Sequence, residues 1–372
     1  NFNVAVGDEA GTAITTGDRN TVVGYQAGDA ITTGSKNTAL GRHALTALID
    51  ADDNTAIGDG ALAADTKGTK STAIGRDTLA TQNFTSSTDT YNTAVGFAAG
   101  LGVTTGRNNT LIGALAGDAN TTGASNTAVG SGSLGANTTA SDNTAVGNQA
   151  GTAVTTGTKN TLIGAEAGDA ITTASGNVAL GYSALGACTT GADNVAIGMN
   201  AGLSVTTGLR NTLIGDLSGD ALTDADDNVA IGSFALSADT LGSRSTAIGK
   251  AALGSQNFTS ATNANNTAVG YQAGVSVTTG TLNTLIGGQA GDALSVGDAN
   301  IAVGYTALGS DTKGNRSTAI GTGALATQNF TSATNVYNTA VGDSAGAAVT
   351  TGVQNTFIGG LAGDANTTAS TN

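Results

Sequence analysis

His43 is the only histidine among 372 residues, so a Ser-His-Asp or Cys-His centre would have to rest on one place in the chain. Catalysis is therefore not expected. Cys188, the single cysteine, can close no disulfide within the chain. It stands where neighbouring stretches carry Ile14, Val154 or Leu48, and reads as a small buried residue. Carboxylates bunch at Asp50-Ala51-Asp52-Asp53 and at Asp224-Ala225-Asp226-Asp227. Their Asp-x-Asp-x-Asn order opens like a calcium loop, with Asp50, Asp52, Asp224 and Asp226 as candidate ligands. An EF-hand is excluded, because its sixth position falls on Thr55 or Val229 and no Glu follows at the twelfth. What remains is a weak surface calcium site or a solvated acidic corner, and no other cofactor is implied. Asp29, Asp118, Asp169, Asp220, Asp292 and Asp364 recur at one place of one repeat type, three to five repeats apart, too far to share an ion.

The aromatic residues point elsewhere. Gln82-Asn83-Phe84-Thr85, Gln256-Asn257-Phe258-Thr259 and Gln328-Asn329-Phe330-Thr331 open three near-identical stretches, and Tyr91 and Tyr337 close two of them. Five of the thirteen aromatics thus sit in loops near 82–91, 256–265 and 328–337. Phe84, Tyr91, Phe258, Phe330 and Tyr337 are candidate contacts for a surface glycan or matrix partner. The competing reading folds each Phe back onto the body of the protein.

What positions these residues is a repeat. The stretch Asn194-Val195-Ala196-Ile197-Gly198 recurs, with small changes, twenty-one times. The step is 17 residues except from 71 to 92, 245 to 266 and 317 to 338, where it is 21. Counting from the anchor Asn as position 1, position 4 is always Val, Ile or Leu and position 5 always Gly. Position 8 is Ala in all but Thr78, Ser133 and Ser218, and positions 13 to 15 are often Thr-Thr-Gly. Short β-branched runs ended by Gly describe strands turning at corners. Two fixed glycines in every 17 residues exclude helical repeats. The expected fold is all-β, a parallel β-solenoid of 17-residue coils in one continuous array over residues 1–372. Twenty-one coils stacked at about 4.8 Å would make a rod roughly 100 Å long.

Within a coil, strands are expected at positions 2 to 4 and again at 11 to 14. The aliphatic position 4 is expected to face inward. Position 3 would then face out, and Leu111, Leu162, Leu213, Leu285 and Phe357 would mark a surface that packs on other chains as a homotrimer. The Asn at position 1, replaced by Ser at 71, 245 and 317, is expected to form a hydrogen-bonded ladder from coil to coil. Coils also alternate in type. A coil with Leu or Phe at position 3 is followed by one with Leu at position 9, in units of 51 or 72 residues.

Composition agrees with a fibre and excludes other classes. There are 57 Gly, no Pro, no Trp and a net charge of −14, with no basic cluster to neutralise phosphates. No apolar run is long enough to span a membrane. The chain opens inside a repeat at Asn1-Phe2-Asn3 and reaches the next anchor at Asn372, as expected of a segment of a longer array.

The stretches Asn194-Val195-Ala196-Ile197-Gly198, Asn228-Val229-Ala230-Ile231-Gly232 and Ser317-Thr318-Ala319-Ile320-Gly321 resemble the head repeats of trimeric autotransporter adhesins. They are also similar to repeats of phage tail fibres and bacterial surface proteins. The resemblance covers the whole chain. It implies a left-handed parallel β-roll, three chains wide, displayed outside a cell or virion. The expected function is an extracellular fibre shaft or adhesin with itself as partner. A phage tail fibre that binds a host-surface glycan is the first alternative. An ice- or crystal-binding face of stacked Thr is the second, against which Asp50 interrupts the Thr row.

Overall fold

The computed structural model describes residues 2–372. It is all-β, and no α-helix occurs among the described residues. Two compact units divide the chain, Asn1–Ser183 and Ala184–Asn372. In the first, the successive three-residue strands from Val4–Val6 to Val178–Leu180 pair in parallel with their neighbours in that unit. In the second, strands from Val195–Ile197 to Thr356–Ile358 pair in the same way. Register is kept across the long steps too: Thr72 pairs with Thr93 and Thr246 with Thr267. Each repeat is therefore one coil of a parallel β-solenoid, as its period requires.

The backbone turns faster than the sequence pattern suggests. Positions 11 to 14 make a turn and a bend where a second strand was expected. Extra strands accompany only the long coils, as in Gly68–Thr69 with Thr88–Asp89. The cause lies in left-handed residues at positions 5, 7, 9 and 17, such as Gly41 (φ 141°), His43 (60°), Leu45 (54°) and Asp53 (60°). A non-glycine residue pays about 1–2 kcal/mol for that conformation, so the stack must enforce it. It does so by hydrogen bonds around the whole coil, including Gly24 N–H to the Val6 carbonyl (2.8 Å) and Thr15 N–H to the Thr32 carbonyl (2.9 Å). Position 5 admits glycine alone for a second reason. A Cβ on Gly198 would lie 2.4 Å from the carbonyl oxygen of Gly215 in the next coil.

The strand faces are opposite to the expectation. Position 3 points into the coil: Leu111, Leu162, Leu213, Leu285 and Phe357 are buried, as are the alanines that fill this place from Ala39 to Ala340. These five residues are core and cannot be the surface of an oligomer. Position 4 points out, with Leu40 46% and Ile112 38% exposed. Alternation explains the outcome, since positions 1 and 3 share one strand face and the anchor Asn is buried. The interior of a 17-residue coil is narrow, and the smallness of the residues at 3 and 8 is its signature. The remaining core places are positions 9 and 12, filled for example by Leu185 and Cys188.

The anchor residues form the expected ladder, with the backbone as a full participant. The Asn194 Oδ1 accepts the backbone N–H of Asn211 at 2.9 Å, and the Asn211 Nδ2 donates to the Ala225 carbonyl at 2.7 Å. Some rungs add a direct amide contact, as from Asn211 Nδ2 to Asn194 Oδ1 at 3.1 Å. Two buried backbone groups per coil are satisfied by one side chain.

Core volume explains the alternation of coil types. Wherever position 9 is Leu, position 3 is Ala; wherever position 3 is Val, Leu or Phe, position 9 is Gly. A Cβ on Gly168 would fall 2.8 Å from Cδ2 of Leu162 and 2.7 Å from Cδ1 of Ile171. Bulk moves between two places of one confined space, keeping packing density constant. Accordingly, Leu162→Ala is expected to cost about 2–5 kcal/mol in denaturant unfolding, and Gly168→Leu to destabilise by overpacking. The double variant Leu162→Ala/Gly168→Leu, which recreates the other coil type, should recover much of the loss. Strictly additive destabilisation would contradict the exchange.

Candidate functional site

Three features of the surface can carry function: the outer sheet face, the corners of the long coils, and the acidic places. The outer face comes directly from strand alternation. Positions 2 and 4 carry Thr, Val, Ile or Leu in every coil and never a charged residue. Position 4 forms an aliphatic row along each unit, about 50 Å long at 4.8 Å per coil. Ile112 and Leu180 in the first unit and Ile286 and Ile320 in the second stand exposed in it. Beside it, position 6 is mixed: Tyr25, Phe97 and Tyr182 in the first unit and Met199, Tyr271 and Tyr305 in the second are exposed, while Arg42, Asp59, Arg76, Asp216, Lys250 and Asp343 stand in the same row. A continuous apolar strip of this extent exceeds the scattered exposure normal for a lone chain.

At the long coils the five aromatic candidates separate into two groups. Phe84, Phe258 and Phe330 are tucked in, 6–7% exposed, so they close the loops and offer no contact surface. The Phe258 ring lies over Gly242, where a Cβ would come within 2.8 Å of it. Tyr91 and Tyr337 remain exposed, 54% and 47%. Each is held by a cation that donates to its hydroxyl: Lys70 Nζ lies 5.2 Å from the Tyr91 ring centre and 3.3 Å from its hydroxyl, and the Arg316 guanidinium 5.6 Å from the Tyr337 ring centre, with Nη1 2.9 Å from its hydroxyl. Lys70 also pairs with Asp89 at 2.6 Å. The ammonium of Lys70 and the hydroxyl of Thr69, both donating to it, hold the Asp89 carboxyl down at about 2.

Sequence reasoning missed the polar cluster beneath these corners. Asp65 is buried at position 12, where many other coils carry an aliphatic residue. Its Oδ1 accepts the N–H groups of Gly68 (2.9 Å) and Phe84 (3.2 Å), and its Oδ2 accepts Gln82 Nε2 (2.6 Å). Gln82 also donates to Ser71 Oγ (2.9 Å) and accepts from Asn92 Nδ2 (2.8 Å). It thus bridges the anchor ladder where Ser71 is too short to continue it. The arrangement recurs with Asp239, Gln256, Ser245 and Asn266, and with Asp311, Gln328, Ser317 and Asn338. The signal in the sequence was an Asp at position 12 followed one coil later by Gln at position 12, three times.

The acidic candidates serve as coil-to-coil acceptors. Asp52 Oδ1 takes the Ser35 N–H (2.7 Å), and Asp50 lies 3.4 Å from Lys67 Nζ. Asp224 Oδ1 takes the Thr207 hydroxyl (2.6 Å) and Asp226 Oδ1 the Leu209 N–H (2.8 Å). No group of three or more His, Cys, Asp or Glu placed to hold a metal occurs among the described residues. Cys188 is buried, its thiol pushed up to about 11 by burial, and it donates to the Gly191 carbonyl. No helix among the described residues is long and apolar enough to cross a membrane.

No protein-family model matches the chain, and no curated protein is significantly similar to it.

The recurrent aspartates at position 10 yield a test. Burial raises the carboxyl pKa of Asp118, Asp169, Asp220 and Asp292 above the ordinary value, and one oxygen of Asp220 is buried without a partner. A raised carboxyl pKa favours the fold below the unfolded value, and that benefit is lost as pH rises through the folded value. Asp220→Asn should therefore raise Tm at neutral pH, with the gain shrinking as pH falls through the raised folded value and essentially gone below about 4, the unfolded value. Thermal scans across that range check it; a pH-independent difference would contradict it.

Proposed function

We propose that this chain is the shaft of an extracellular fibre whose copies associate, three together, through the outward faces of their parallel sheets. The observation that carries the reading is the unbroken, charge-free row at positions 2 and 4. Charges are depleted from the cores of protein interfaces, and here every one of the 40 charged residues lies off that face. The face is identical on every copy, so its natural complement is another copy. A strip of two side-chain rows along both units offers area on the order of the 800 Å² per partner that stable interfaces bury. The number three follows the resemblance to adhesin head repeats. The acidic exterior, with 27 Asp and Glu against 13 Lys and Arg, keeps such a shaft soluble away from its contacts.

In this reading the interface residues are those at position 4, such as Ile163 and Ile286, in place of the buried Leu111 set. The adhesive contacts are the exposed Tyr91 and Tyr337, held out on the long-coil corners by their cations.

Sedimentation equilibrium should give three times the 35.6 kDa of one chain. Ile163→Lys/Ile286→Lys should dissociate the assembly and leave the far-ultraviolet circular dichroism unchanged. A monomer at every concentration of the unaltered protein would overturn the proposal.

A further inference from the structure

A recess in the first unit has no part in the fold or in the sheet face. Position 7 carries an outward side chain in most coils, all on left-handed backbone: Gln26, His43 and Asp77 are examples. At Gly60 the side chain is missing, and Asp77 Oδ1 leans over the place, 2.8 Å from where a Cβ would stand. The gap lies between His43, one coil before, and Asp77, one coil after, two coil spacings or about 9.6 Å apart along the stack. Position 6 of the same coils supplies Arg42, Asp59 and Arg76, and together these side chains wall a recess of about 620 Å³, within the size of small-ligand sites.

The walls are held in place. Arg42 grips Asp59 through two bonds, Nε to Oδ1 at 3.2 Å and Nη2 to Oδ2 at 3.0 Å. Arg76 Nε donates to Asp77 Oδ2 at 3.0 Å, and its guanidinium lies 5.4 Å from the Phe97 ring centre. His43 stands edge-on to Tyr25, with ring centres 5.5 Å apart at 76°. The same gap at Gly132 and Gly323 has no such walls. Gly132 lies between Leu115 and Gln149, and Gly323 between Thr306 and Ser344.

The charges decide the ligand. Two guanidinium groups and two carboxylates balance one another, and each is already paired. An anion entering the recess would meet Asp59 and Asp77, and a cation would meet Arg42 and Arg76. A neutral group that both donates and accepts many hydrogen bonds suits all four. We propose that the recess over Gly60, walled by Arg42, His43, Asp59, Arg76 and Asp77, binds a neutral pyranose through neighbouring hydroxyls. The hydroxyls donate to Asp59 and Asp77 and accept from the guanidinium N–H groups not used in the pairs. The site needs only the coils that run from Asn20 to Phe97, whether or not chains associate.

Because His43 is the only histidine, its imidazole resonances report on the recess without overlap. The unaltered protein is titrated with the methyl pyranosides of glucose, galactose and mannose, and separately with inorganic phosphate. A saturable shift of His43 with at least one pyranoside is expected, and none with phosphate. Gly60→Gln should abolish the shift with the circular dichroism unchanged, since Gln26, Gln149, Gln272 and Gln289 occupy this position in other coils. Asp77→Asn should weaken binding about tenfold through loss of a charged acceptor. No shift with any of the three sugars, a saturable shift with phosphate, or a shift that survives Gly60→Gln would each overturn the proposal.

Discussion

The fold depends on the buried anchor amide. One Asn side chain accepts the N–H of the next anchor and donates to a carbonyl near the end of its own coil, as Asn20 does with Asn37 N–H (2.9 Å) and the Gly34 carbonyl (2.8 Å). Both backbone groups lie where water cannot reach, and leaving either unpaired costs about 1–3 kcal/mol. The amide therefore fixes where each coil begins relative to the last, and every other place in the repeat inherits that register. Glycine at position 5 and the left-handed residues at 7, 9 and 17 are tolerable only because their neighbours above and below are locked in the same conformation. Long coils test the rule: where Ser replaces Asn, Gln82, Gln256 and Gln328 reach across to restore the connection.

From that register follows the division of labour between the two strand faces. The anchor and position 3 look inward, into a space so narrow that Ala is the usual occupant and each bulky residue requires a glycine opposite it. The β-branched residues at 2 and 4 give the strands their propensity and are left outside. A core of this kind cannot consume the aliphatic content of the chain. The surplus lies on the surface in an ordered row.

Much of this was legible in the residues alone. The period, the parallel stacking and the amide ladder followed from invariant Asn and Gly at fixed spacing. The orientation of the strand is not legible in the same way, because an invariantly aliphatic position 4 has the hydropathy of a core place. Invariant smallness at positions 3 and 8 was the better guide, since only an inner face has a size limit. The aromatic loops were half legible. Their spacing singled them out, but only the paired backbone of Phe84, Phe258 and Phe330 shows that these rings seal the corner while Tyr91 and Tyr337 stay out. The buried Asp65 and Gln82 escaped notice because each looks like an ordinary surface residue until read one coil above the other. The recess at Gly60 depends on a side chain that is absent, visible only against the residues that fill position 7 elsewhere.

Hydrogen exchange resolved by residue measures the anchor ladder directly. The backbone N–H groups of Asn211 and Asn228 lie outside the strands, yet each is held by the side chain of the preceding anchor at 2.9 and 3.0 Å. The account predicts that they exchange as slowly as the strand amides of Leu213 and Ala230. Exchange at the rate of exposed turns would show that the amide ladder does not set the register, and the account would fail.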